Sequence, residues 1–408
     1  MRRPDFHVCQ QFLASHSGVR SAMAHLTRLF YDLRVRAILY QVIAVLTVVL
    51  IGLYLASNVS RKLAEQNIST GFAFLWREAG FVISPSILEY SPTDSYARAL
   101  LAGILNTVWV SVLGVTLATI IGLVVGIARL SRNPLLAFLS FLYVEALRNV
   151  PLLLYLFLWY GLIVTLLPPV REAMEIVPHV FISNSGVTIP AMKWSLAHTQ
   201  VLIALVLGLV MALLVRRRQI AQRVATGIER RTWPLTALAL LLPPVLAILV
   251  FQPDFAIEFP EKGRFRLAGG AHLKPEFTAL LLGLSLSASA GIAETVRSGI
   301  LSVNKGQWEA ARSLGLNDRR SLRLIVLPQA LRVIIPPLTS AYLSLFKNSS
   351  LAIAIGYPDL VMVANTTMNQ TGQAIEGIAI FMLVYLGLSI IISIFMNWYN
   401  GRVALKER

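Results

Sequence analysis

The stretch that decides the fold is Glu309-Ala310-Ala311-Arg312-Ser313-Leu314-Gly315, followed by Ile325, Leu327 and Pro328 after nine intervening residues. It lies between two apolar segments long enough to cross a membrane. Residues 307–314 are predicted to form a short helix on which Ala310 and Ala311 leave a face smooth enough for close docking. Gly315 suits a left-handed helix end and a sharp turn. A second helix should then stop or bend at Pro328.

Composition outside this stretch indicates an integral membrane protein. Hydrophobic residues make up 56% of the 408 residues and charged residues 14%, a balance that a soluble chain of this size could not bury. A span needs about 20 apolar residues to cross about 30 Å. Eight apolar segments are long enough, or nearly so: 37–56, 101–127, 151–167, 198–215, 233–251, 276–300, 337–358 and 376–398. Because Pro151 interrupts a longer apolar run, residues 135–148 are predicted to lie along the interface while 151–167 cross.

The formal charge of +16 is distributed unequally between the two sides of these spans. Alternate hydrophilic segments carry 23 Lys and Arg on one side and ten on the other. This is the positive-inside bias, so both termini and the stretch 306–328 are predicted to be cytoplasmic. Nucleic acid is not an expected partner. The turn at Gly315 would also suit a DNA-binding helix-turn-helix. A loop tethered to the bilayer at both ends, however, is poorly placed to insert a helix into the major groove of DNA.

Several chemistries are not expected on this chain. The one cysteine, Cys9, forbids an intramolecular disulfide, and the six His residues are scattered without ligand spacing. The sequence Gly-Lys-Ser/Thr does not occur, so the chain has no P-loop for ATP. Because 36 residues precede the first apolar run, that run is expected to stay as a signal anchor. No cofactor, catalytic residue or metal site is therefore predicted.

Charged residues within the apolar segments form two groups by depth. Glu145 with Arg148, and Glu294 with Arg297, are predicted ion pairs three residues apart on one helix face, near the cytoplasmic interface. They could have a structural or gating role beside loop 306–328, or they could simply snorkel to the interface.

Lys347 differs, since it lies about 15 Å into its span with no acidic residue within helical reach. It could face a substrate carboxylate, or it could pair with Glu145 or Glu294 and hold the bundle together. Other candidates for the translocation path or its gate are polar side chains inside the spans: Asn348, Ser349, Ser350, Asn106 and Thr107.

Small residues mark predicted helix contacts. Gly114, Ala118, Gly122 and Gly126 repeat every four residues in one span, which favours close backbone approach to another helix. A second predicted stripe of small residues consists of Gly283, Ser287 and Gly291. Ser285 and Ser289 place two further hydroxyl groups on the same span.

The motifs around the loop resemble those of a known family. Glu294 to Gln307 leads into the loop, and Leu327 to Arg332, Ile335-Pro336-Pro337 and Lys347 to Leu351 lead out of it. Residues 143–153 are similar to the family's second signature. Together they resemble the permeases of bacterial ABC importers, in the polar amino-acid uptake family. The long layout is most similar to the larger permease subunits of broad-specificity L-amino-acid importers. The family usually has an acid where this chain has Asn348.

The resemblance implies a type I permease fold, all-α, with a five-helix core and three extra spans among about eight. Residues 1–98 would hold a cytoplasmic N-terminus, an extra span and a periplasmic segment. The core would comprise 99–167 and 276–408, separated by an insertion at 168–275 with two extra spans.

The residues of loop 306–328 that match the family's coupling loop to the ATPase are Gly306, Gln307, Glu309, Ala310, Ala311, Gly315, Leu327 and Pro328. The implied function is import of L-amino acids across the bacterial inner membrane by alternating access. Implied partners are two ATPase copies that bind ATP and Mg, a second permease that is a related but distinct chain, and a periplasmic amino-acid-binding protein. If the chain were a secondary transporter, the loop would have no explained role, and the sequence should contain two repeated halves of similar topology. A membrane enzyme would need a convergent polar cluster, which the sequence does not show.

Overall fold

The computed structural model describes residues 33–65, 71–227, 233–263 and 267–403. Cys9 and the His residues at 7, 16 and 25 lie outside the described residues, as do both chain ends. Twelve α-helices, α1 to α12, run in chain order through the described part over Leu33–Glu65, Tyr96–Ala128, Pro134–Arg148, Leu152–Leu166, Leu196–Thr226, Trp233–Phe251, Pro275–Leu301, Lys305–Ser313, Asp318–Ser321, Leu327–Asn348, Leu360–Thr371 and Ala374–Val403. Three 3-10 turns cover Phe72–Trp76, Val170–Glu172 and Ser349–Ile355, and a π-helical turn covers Leu322–Val326.

Most of these helices are membrane spans by length and composition. Within the described residues, seven helical stretches qualify, or eight if the bent pair α3–α4 counts as one. The prediction of about eight spans in a helical membrane protein is confirmed. One boundary differs, because the span predicted at 337–358 belongs to a continuous helical stretch of 38 residues, Asp318–Ile355.

The break predicted at Pro151 is present. Helices α3 and α4 meet at an angle of 103°, with Pro151 as the N-cap of α4. At its other end α3 begins at Pro134, and the side chain of Asn133 accepts the backbone N–H of Leu135 at 3.0 Å. Proline at the first helical position and an Asn cap are both favourable there. Interfacial placement of α3 stays a prediction.

The insertion contains a feature that hydropathy did not predict, a set of short strands. Strands β1 to β8 cover Met174–Val177, Val180–Ser183, Gly186–Ile189, Ala191–Met192, Ile257–Glu258, Glu261–Lys262, Leu267–Ala268 and Ala271–Leu273. They form an antiparallel sheet in the order β1-β2-β3-β8 and two small two-stranded antiparallel sheets, β4-β5 and β6-β7. The two predicted extra spans, α5 and α6, lie between β4 and β5 and pack closely, since a Cβ on Gly208 would lie 2.5 Å from the Leu240 carbonyl oxygen.

The chain divides into two compact units. The described part of the first unit comprises α1, residues 71–72 and Thr371–Glu376. Within it the backbone N–H of Gly71 donates to the Glu376 carboxylate at 2.6 Å. The second unit comprises Ala73–Gln370 and Gly377 onward, and it contains the main apolar core.

Helices α2 and α7 form the centre of that core, and the glycine stripe of α2 explains why. A Cβ on Gly122 would lie 2.7 Å from the Ile292 Cβ, and one on Gly126 would lie 2.7 Å from the Ala293 carbonyl oxygen. The predicted packing role of this stripe is therefore confirmed. The stripe predicted on α7 is only partly right: Gly283 packs against Leu156 of α4, whereas Gly291 faces open space.

Candidate functional site

Loop 306–328 is built around a short helix with well-defined ends. The side chain of Asn304 accepts the backbone N–H of Gly306 at 2.8 Å and caps α8. At the other end Gly315 has a φ of +75°, as predicted for a left-handed terminus. Its N–H donates to the Arg312 carbonyl at 2.9 Å, and the N–H of Leu316 donates to the Ala311 carbonyl at 3.1 Å. This pair of bonds is the Schellman motif, which ends the helix and turns the chain back toward the membrane.

The two faces of α8 differ in side-chain size. Gly306, Ala310 and Ser313 recur at intervals of four and three residues, so they share one face, and all three are exposed. The neighbouring Leu314, at the tip of the turn, is 78% exposed. This small-residue face, with one exposed leucine beside it, offers a partner close approach and an apolar contact. The prediction that Ala311 shares the face is wrong, because Ala311 lies on the bundle side of the helix and is 0% exposed.

The helix after the turn does not stop at Pro328, contrary to one of the predicted outcomes. The chain stays helical from Asp318 onward, and residues 322–326 widen into a π turn immediately before α10. Proline has no N–H, and its ring crowds the carbonyl four residues earlier. The wider turn accommodates Pro328 in the first turn of α10, so the irregularity precedes the proline.

Three polar contacts hold the loop together and against its surroundings. The Gln329 side-chain amide donates to the Gln307 side-chain oxygen at 3.2 Å, which joins the base of α10 to α8. Asp318 pairs with Arg312 at 3.2 Å and with Arg132, in the turn between α2 and α3, at 2.7 Å. Sequence reasoning missed Asp318, although an acid at the first position of a helix is a recognisable signal. The loop is thus tied to the end of α2 as well as to its own helices.

Glu294 and Arg297 form the predicted ion pair, with Arg297 Nη2 2.6 Å from Glu294 Oε1. A third member was not predicted: Arg129, at the C-cap of α2, also pairs with Glu294, and its side chain is only 10% exposed. Its guanidinium lies 5.4 Å from the centre of the Phe141 ring on α3. One carboxylate therefore joins the ends of α2 and α7, which supports the structural alternative for this pair.

The predicted pair between Glu145 and Arg148 is wrong. Arg148 is the last residue of α3, and the C-cap residue Asn149 turns its amide back to the Glu145 carboxylate at 3.3 Å and to the Glu145 carbonyl at 2.8 Å. Arg148 remains exposed. The helix end, rather than spacing along the helix, determines which group Glu145 binds.

Lys347 is exposed and has no ion pair with any residue that the structure describes, so the predicted alternative of a bond to Glu145 or Glu294 is not found. Its neighbour Leu345 contacts Gly114, which lies 14 residues, or about 21 Å, from the end of α2. Lys347 therefore lies near the middle part of α2, and its depth in the membrane stays a prediction. The flanking hydroxyls are occupied, since Ser349 donates to the Phe346 carbonyl and Ser350 to the Lys347 carbonyl, each at 2.7 Å, while Asn348 is exposed.

Asn106 and Thr107 are buried and bind backbone groups. The Asn106 amide donates to the carbonyls of Pro85 and Pro358, both at 2.9 Å, and Thr107 accepts the N–H of Leu360 at 3.0 Å. In this conformation both side chains therefore connect α2 to the start of α11.

Sequence reasoning also missed Asp359, which is fully buried beside this network and accepts the N–H of Met362 at 2.8 Å as a helix cap. Its signal was an Asp placed directly before an apolar helix. In the described ranges, no three His, Cys, Asp or Glu side chains form a group that could hold a metal ion.

The fold is therefore an apolar helical bundle of a membrane protein, with an exposed loop that presents a small-residue face. The family described as "binding-protein-dependent transport system inner membrane component" matches residues 204–405.

The permease protein AapQ of the general L-amino acid transport system of Rhizobium johnstonii is 46% identical over 380 residues, covering 93% of this chain and 94% of the relative. The putative amino-acid ABC transporter permease YhdX of Escherichia coli is 45% identical, covering 93% and 97%. BztB of Rhodobacter capsulatus, a glutamate/glutamine/aspartate/asparagine transport system permease, is 39% identical, covering 97% and 100%.

The chain belongs to this family of ABC importer permeases, as its motifs predicted. A solved amino acid ABC transporter with histidines is 20% identical, with a TM-score of 0.45 over 75% of this chain and 95% of that one. The family membership excludes the secondary-transporter alternative. It makes the chain a multi-pass permease subunit and implies ATPase and binding-protein partners.

Proposed function

We propose that this chain is one of two permease subunits of an importer that carries L-amino acids inward across the bacterial inner membrane by alternating access. The substrate class is supported by three relatives whose names specify amino-acid transport. The observation that carries the mechanism is loop 306–328, with its exposed small-residue face and its left-handed turn at Gly315. Such a surface suits insertion into a groove on another protein.

The ATPase would engage Gly306, Gln307, Glu309, Ala310 and Gly315, all of which are exposed. Leu327 and Pro328 would act indirectly, by setting the helix that follows the loop. Two ATPase copies would bind ATP and Mg, and their closure would draw two loops together. Because this chain supplies one such loop, a second and distinct permease chain would supply the other.

The orientation proposed from charge puts both termini and loop 306–328 in the cytoplasm. The opposite side would then receive the periplasmic binding protein, with the insertion and the residues after α1 available to contact it. Lys347 is the proposed path residue, because it is an unpaired cation at membrane depth among the described residues.

Reconstitution tests this function. The chain, a co-encoded permease and an ATPase would be placed in proteoliposomes with the binding protein outside and ATP inside. We expect uptake of radiolabelled L-amino acids that requires ATP and the binding protein. Uptake that instead follows an imposed ion gradient without ATP would refute the proposal, and ATP-dependent uptake of a different substrate class would refute the assignment of substrate.

A further inference from the structure

The face of α8 opposite the small-residue face borders a cavity of about 710 Å³. The helix contributes Lys305, Trp308 and Arg312 to its lining, spaced three and four residues apart on one face. The ends of α2 and α7, and the start of α3, complete the walls. A cavity of this size is in the usual range for a bound small molecule, about 300–1,000 Å³.

The walls of this cavity are apolar and lie at the level where the spans end. Ile127 and Leu301 belong to the last turns of α2 and α7, and Leu136 belongs to the first turn of α3. Each of these three side chains is 45% exposed or more. The apolar wall therefore continues into the surface that faces the hydrocarbon of the bilayer.

The rim is cationic. The lining contains four basic side chains, those of Arg132, Lys305, Arg312 and Arg319, and one acidic side chain, that of Asp318. Asp318 already pairs with Arg132 and Arg312. Lys305 and Arg319 have no ion pair with any residue described in the structure.

Arg319 also lines an adjacent cavity of about 380 Å³ with Arg320, Arg323 and Leu324. Among described residues neither Arg320 nor Arg323 has an ion pair, and Leu324 is 61% exposed. The uncompensated positive charge is thus concentrated at the membrane surface.

We propose that this cavity binds an anionic phospholipid, with the phosphate at Lys305 and Arg319 and the first part of an acyl chain along Ile127 and Leu301. Basic pockets beside transmembrane helices at the cytoplasmic surface recognise acidic headgroups. The ATPase is a poorer occupant, because the face proposed for its docking is on the opposite side of α8. The inference goes beyond the proposed function and holds whichever substrate is carried.

Trp308 lines the cavity and reports on it. The complete transporter complex would be placed in two series of nanodiscs. One series contains increasing mole fractions of phosphatidylglycerol brominated near the start of the acyl chain, and the other contains the same mole fractions of phosphatidylcholine brominated at the same position. Subtraction of the same measurement on Trp308→Phe isolates the quenching of Trp308 from that of the other six tryptophans. We expect brominated phosphatidylglycerol to quench Trp308 at a several-fold lower mole fraction than brominated phosphatidylcholine.

Variants test the cationic rim. Each basic residue near an acidic surface contributes about fivefold to binding, so Lys305→Gln with Arg319→Gln should remove the preference for phosphatidylglycerol. The matched control, Arg217→Gln with Arg218→Gln, removes two exposed arginines from α5 and should keep it.

Equal quenching of Trp308 by the two lipids, or by neither, would overturn the proposal. So would a preference that survives in the Lys305/Arg319 variant. If inorganic phosphate changes Trp308 emission in phosphatidylcholine nanodiscs as much as phosphatidylglycerol does, the site binds free anions and the lipid assignment is wrong.

Discussion

Replacement of Gly315 by valine should uncouple the permease from its ATPase without unfolding it. The φ of +75° at this position costs a non-glycine residue about 1–3 kcal/mol, with β-branched residues at the upper end. Two hydrogen bonds of the Schellman motif favour the turn, at about 1 kcal/mol each. A strain near 3 kcal/mol therefore leaves roughly a sixth of the loops in the correct turn, which weakens the apparent affinity for the ATPase about sixfold.

The matched variant is Gly315→Asn, because asparagine adopts left-handed conformations far more readily than valine. No atom lies within 4 Å of a Cβ at this position, so neither substitution causes a clash within the chain. We expect Gly315→Asn to bind the ATPase within about twofold of wild type. Titration of the ATPase onto nanodiscs gives both affinities, with substrate-stimulated ATP hydrolysis as the second measurement. Equal affinities for valine and wild type, or equal weakening by both substitutions, would refute the reasoning.

Four further outcomes are expected. Glu309→Lys should lower stimulated ATP hydrolysis by reversing a charge at the docking surface, and normal hydrolysis would contradict that placement. Lys347→Ala should impair uptake while the complex still assembles, and failure to accumulate in the membrane would favour a structural role. Gly122→Ala should destabilise the chain by about 1–3 kcal/mol, whereas Gly291→Ala, in open space, should leave the melting temperature unchanged or raised. After replacement of Cys9, a cysteine at exposed Ser313 should react with impermeant reagents only from the cytoplasmic side, and labelling from outside would reverse the topology.

Features that depend on local chemistry were predictable from the sequence. The spans follow from hydropathy, the break at Pro151 follows from the ring of proline, and the turn at Gly315 follows from its freedom at positive φ. The contact of α2 with α7 was indicated by the spacing of small residues, although the partner helix was not.

Features that depend on three-dimensional context were not predictable. Spacing alone suggested a bond between Glu145 and Arg148. Because α3 ends at Arg148, the side-chain amide of Asn149 turns back and donates to the Glu145 carboxylate instead. Arg129 lies just beyond the span predicted at 101–127, and its bond to Glu294 exists only because α2 and α7 run side by side. The sheet of the insertion escaped prediction because strands of two to four residues carry too little periodicity.

The π turn before Pro328 has a mechanical consequence. By keeping the chain helical through Pro328, it joins the loop to a continuous helical stretch of 38 residues that contains Lys347. Its near end carries the loop, and Lys347 lies 20 residues beyond Leu327, or about 30 Å along the axis. Pro336 and Pro337 lie on this path, and prolines inside a helix favour a bend. A displacement of the loop would therefore reach Lys347 through that bend, which would set how far the cation moves.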